Sequence, residues 1–158
     1  MKPRNDPSTR STRQILESAM RQHEQLSRHW ETARSAAGKP DTKMLLDYIR
    51  RKENGFVDMV SRYLAHAPDE ILDTYFQFTP EEAHMADRFE IWQPERSDTV
   101  AEIIDAVLQW DAVMEKYYRR AAQMASREAL RDMFLRLADG VIDKQKAQAQ
   151  NASWLRDL

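Results

Sequence analysis

Four long stretches of this chain repeat their apolar residues every three or four positions, and very few helix breakers interrupt them. With Gly 3 and Pro 6 in 158 residues, the tight turns that a sheet protein needs are not available. Period 3.6 with so few breakers predicts an all-α chain with helices over about 12–37, 41–67, 98–125 and 127–156. Helix 1 carries Leu16, Ala19, Met20, Leu26, Trp30, Ala33 and Ala37 on one stripe. Gly38 is expected to end it in the left-handed conformation, and Pro40 to stop its continuation. Asp41 or Thr42 is expected to cap helix 2, whose stripe is Leu45, Ile49, Phe56, Val60, Tyr63 and Ala67. Helix 3 begins where Thr99 and Glu102 have capping-box spacing, and helix 4 follows Ser126.

Short turns join helices 1 and 2, and again 3 and 4, so each pair reads as an antiparallel hairpin. The connection between the hairpins, 68–97, is far longer than a turn requires. It holds Tyr75, Phe76, Phe78, Phe89 and Trp92, with eight acids against two arginines for a net of −6. Such a connection can return along the whole length of a bundle, since a helix of ~27 residues spans ~40 Å. Two hairpins and one long crossover make a four-helix bundle over 12–158, preceded by a basic stretch, 1–11, that reads as a flexible tail.

The absence of Cys removes disulfide scaffolds and thiolate chemistry. A net charge of −2 gives no basic field for nucleic acid. No apolar run reaches the ~20 residues of a membrane span, and the start of the chain has no signal-peptide core. The expected location is cytoplasmic. Trp110 and Tyr117 are expected to extend an apolar surface toward another subunit, which makes a homodimer one expected state.

Counted from the turns near 39 and 126, His23 and Glu53 lie 16 and 14 residues away, Asp111 and Val141 lie 15, and Lys144 lies 18. All five therefore fall near one level. His23 sits close to the centre of its apolar stripe, and Glu53 and Asp111 about 50° from the centre of theirs. His23, Glu53, Asp111 and Lys144 form a candidate polar layer. Lys144 between the two carboxylates would neutralise them, which is how two inward acids avoid repelling each other. Gly55 and Gly140 fall at the same level and either permit close approach of helices 2 and 4 or face solvent.

In this layout the chain resembles the ferritin-like superfamily, in the style of rubrerythrin-like and bacterioferritin-like four-helix proteins. The resemblance implies a di-metal centre built from one Glu on each of two helices and Glu-x-x-His on each of the others. Carried over, helix 1 offers His23 in place of Glu, helix 2 reads Glu53-x-x-Phe56, helix 3 offers Asp111, and helix 4 reads Val141-x-x-Lys144. Both motif histidines and two of the four carboxylates are missing, and an ammonium repels a cation. The expectation is a non-catalytic ferritin-like protein without its di-metal centre or any cofactor, acting through protein or small-ligand binding. The alternative is a divergent iron- or manganese-dependent oxidase using His23, Glu53 and Asp111. A small-molecule pocket would be lined by Trp30, Phe56, Tyr63, Met114 and Tyr118. No catalytic residue is nominated.

Overall fold

The structure, a computed structural model, describes residues 8–84 and 100–141. It is mostly helical. In chain order the elements are β1 (Thr9–Ser11), α1 (Thr12–Ala36), α2 (Pro40–His66), α3 (Asp69–Leu72), β2 (Tyr75–Gln77), α4 (described over 80–84), α5 (Val100–Met124) and α6 (described over 128–141). Among the described residues, no helix is long and apolar enough to cross a membrane.

Residues 8–11 differ from the tail expected of them. They form β1, which pairs antiparallel with β2 so that Arg10 faces Phe76 and Ser11 faces Tyr75. The Phe78 amide donates to the Ser8 carbonyl at 2.9 Å, and the Thr12 amide to the Thr74 carbonyl at 2.8 Å. Ser11 then starts α1. Its hydroxyl accepts from the Gln14 amide at 3.1 Å, while the Gln14 side chain accepts the Ser11 amide at 2.8 Å. This reciprocal box satisfies two amides that a helix start otherwise leaves bare. Nothing local in Thr9-Arg10-Ser11 marks a strand, because its partner lies more than sixty positions away.

The turn between α1 and α2 also departs from expectation. Ala37 has extended backbone (φ −70°, ψ 132°), and no described glycine has positive φ, so Gly38 does not serve as a left-handed cap. Nor does Asp41 or Thr42 begin α2. Pro40 is its first residue, after Lys39, where a missing amide hydrogen costs no intrahelical bond. The Asp41 carboxylate instead accepts from the Thr42 amide at 3.0 Å. The Thr99–Glu102 capping box lies partly outside the described residues.

One hydrophobic core draws on every long helix. Leu16 and Leu26 of α1, Leu45 and Ile49 of α2, Ile103 and Val107 of α5, and Leu130 and Leu137 of α6 are all buried. Residues 75–78 close one end. Phe76 meets the edge of Phe134 with centroids 5.5 Å apart, and Phe78 stacks on Tyr117 at 5.0 Å. The surface expected of Trp110 and Tyr117 is not there, since they are only 2% and 8% exposed within the single chain. The helical period put Trp110 at a stripe edge with Tyr117 beside it, but Trp110 packs edge-on against His23 and Tyr117 is stacked by Phe78. Gly55 faces open space, whereas a Cβ on Gly140 would meet Met59 and Phe56 at 3.5 and 3.9 Å. Both distances are ordinary contacts, so neither glycine is required for close approach.

Candidate functional site

Three polar side chains occupy positions where the apolar period calls for hydrophobes. His23 on α1 lies between Ala19 and Leu26, Glu53 on α2 between Ile49 and Phe56, and Asp111 on α5 between Val107 and Met114. Each of the three is at most 1% exposed. A buried ionisable group is tolerated only when it is paired or hydrogen-bonded. His23 and Glu53 meet that condition together, as Nδ1 of the ring donates to Oε2 of the carboxylate.

Aromatic rings close around the imidazole. Phe56 stacks on it with centroids 3.9 Å apart and planes at 29°, and Trp110 meets it edge-on at 4.6 Å. Phe56 in turn lies 5.9 Å from Tyr118. The Tyr118 hydroxyl is buried, with no hydrogen-bond partner among the described residues. Burial pushes its pKa well above the usual tyrosine value, and the charges of Tyr117, Glu53 and Asp111 add to that push. Both carboxylates therefore act on one phenol, which puts Glu53, Asp111 and Tyr118 in a common buried region.

Of the expected polar layer, His23, Glu53 and Asp111 are buried, and Lys144 lies outside the described residues. Val141 is fully buried and belongs to the apolar core. The expected pocket residues Trp30, Phe56, Met114 and Tyr118 belong to the packed core, and Tyr63 is half-buried against it. Trp110 was missed as a wall of the cluster. Its signal was its position immediately before Asp111, on the inward side of α5. Also missed was a hydrogen bond at the rim, where the Ser27 hydroxyl donates to the Asn54 side-chain oxygen at 2.8 Å.

Metal binding can be tested on this donor set. His23 gives Nδ1 to Glu53, and its ring is held between Phe56 and Trp110. Among the described residues, no three His, Asp or Glu side chains converge closely enough to hold one ion. The residues described do not fit a di-metal centre. What they can do is hold a proton and a hydrogen bond away from water.

Comparison with known proteins finds no family model, no curated protein and no solved structure that matches this chain.

Proposed function

We propose that this chain is a ferritin-like four-helix bundle in which a closed His–carboxylate cluster stands where a di-metal centre would be, and that it works by binding a partner molecule rather than by catalysis. The observation that carries this is the His23–Glu53 bond, sealed by Phe56 at the position where the Glu-x-x-His pattern has its second ligand. A phenyl ring supplies no lone pair for a metal, and the imidazole Nδ1 is already engaged by the Glu53 carboxylate.

The order of contacts along the helices supports the bundle. Trp110 of α5 touches His23, while Tyr118, eight residues on, touches Phe56, which lies beyond Glu53 toward the end of α2. This order, with breaks of only three residues before α2 and before α6, fits a bundle in which α5 follows the sense of α2 across a long connection and α1 and α6 run the other way. Ion pairs Glu82–Arg120 at 2.9 Å and Glu70–Arg127 at 3.5 Å tie the start of that connection to the end where α5 finishes.

Metal analysis of protein purified without chelator, followed by iron(II) titration with absorbance and oxygen uptake, tests the proposal. The expected result is metal far below one equivalent and no oxygen consumption above buffer. Stoichiometric iron with oxygen uptake that is lost in Glu53→Ala would establish the oxidase instead.

A further inference from the structure

We propose that the cleft against the C-terminal half of α5 binds a small organic anion, a carboxylate or phosphate ester joined to an apolar body. The cleft has a volume of about 480 Å³, inside the ~300–1,000 Å³ range of small-molecule sites. Lys116, Arg119, Arg120 and Gln123 line it at i, i+3, i+4 and i+7, so one face of α5 supplies them all. Glu82 of α4 lies across from that face, and the Tyr117 ring, stacked on Phe78, adds an aromatic surface.

The ligand class follows from the hydrogen-bonding capacity left over. Arg120 spends only Nε, donating to Glu82 Oε2 at 2.9 Å. Arg119 spends Nε on Glu115 at 2.9 Å and one terminal nitrogen on Asp139 at 3.2 Å. Glu82 Oε1 is taken by the Thr79 amide at 3.2 Å. Burial would raise the Glu82 pKa, but the Thr79 amide and hydroxyl and the Arg120 guanidinium outweigh it and hold the carboxyl below its usual value. The carboxylates therefore brace the two arginines without exhausting them. A guanidinium has five N–H donors, so both terminal nitrogens of Arg120 and one of Arg119 keep their capacity. Lys116 is exposed and has no carboxylate partner among the described residues. Glu115 lines the cleft as well, so Lys116, Arg119 and Arg120 outnumber its two carboxylates and the lining is net positive, in a chain whose net charge is −2. Braced guanidiniums beside a free ammonium complement a carboxylate or a phosphate. The neighbouring ring favours an anion with an apolar body over a bare ion.

The inference rests on the binding role proposed above and names a ligand class for it. The two fail separately, since one is read from metal in the core and the other from anions at this cleft. The test is titration of the full chain with phenyl phosphate, benzoate and inorganic phosphate by calorimetry. One of the two aryl anions should bind saturably and about tenfold or more tighter than inorganic phosphate, and which of them does so assigns the head group. Lys116→Gln should weaken that binding about threefold or more, and Arg120→Gln about tenfold, the loss of one charged hydrogen bond. Because Arg120→Gln also frees Glu82, the exposed Lys116→Gln decides if the other variant fails to fold. No saturation by about 10 mM, equal affinity for all three anions, or unchanged affinity in Lys116→Gln would each overturn the site.

Discussion

Replacing His23 by leucine removes the imidazole from a carboxylate that water cannot reach. Glu53 is 1% exposed, and its Oε2 is hydrogen-bonded to His23. Breaking a buried pair in this way typically costs ~3–5 kcal/mol, because the remaining charge is left without that partner. The reverse change, Glu53→Leu, leaves a neutral imidazole without the acceptor of its Nδ1 and should cost less, ~1–3 kcal/mol. For a chain of this size ~1 kcal/mol corresponds to ~2–4 °C in Tm. His23→Leu should therefore lower Tm by about 6–20 °C, and Glu53→Leu by about 2–12 °C. The double variant should be less destabilised than the two losses added together, by a coupling of ~0.5–3 kcal/mol. Urea and thermal unfolding followed by far-UV circular dichroism, run as a double-mutant cycle, measure all three. If His23→Leu melts within about 2 °C of the parent, or the two changes simply add, the pair does not hold the core as described.

Tyr118 supplies a pH dependence with a definite sign. Its folded pKa is raised well above 10.0, so above about pH 10 the unfolded chain releases a proton that the folded chain keeps, and stability should fall as pH rises. Absorbance at the tyrosinate band should show one of the five tyrosines ionising only as the chain unfolds, and Tyr118→Phe should lessen this alkaline loss. Glu82 has the opposite sign. Its folded pKa is lowered, so its contribution is present above about pH 4.5 and lost as pH falls through the folded value. Glu82→Gln should thus cost ~0.5–1 kcal/mol at pH 7 and almost nothing in acid. Gly55→Ala, in open space inside α2, should stabilise by ~0.5–1 kcal/mol in urea unfolding. Ser11→Ala should cost ~1 kcal/mol, where a tail residue would cost nothing.

The long helices were legible because their signal is local. An apolar residue every three or four positions needs only its own neighbours to be read, and α1 and α2 end within one residue of where that period stops. His23, Glu53 and Asp111 were legible for the same reason, as each interrupts a stripe at an inward position. Contacts that depend on a distant partner were not legible. β1 exists because residues 75–77 come back to it, and Trp110 and Tyr117 are buried because other segments cover them. Gly38 misled through composition. Glycine permits a left-handed cap, but Pro40 as the first residue of α2 fixes that turn in extended backbone instead. The cleft on α5 went unseen because Lys116, Arg119 and Arg120 read as a solvated helix end until Glu82 is placed opposite them.

Side-chain NMR of His23 during manganese(II) titration tests most directly whether this polar cluster is complete without a metal. With one equivalent of manganese the His23 ring signals should keep their positions and widths, and the Nδ1 shift should remain that of a nitrogen bonded to a carboxylate. Selective broadening of those signals at one equivalent, abolished in Glu53→Gln, would mean that the imidazole and carboxylate are metal ligands after all.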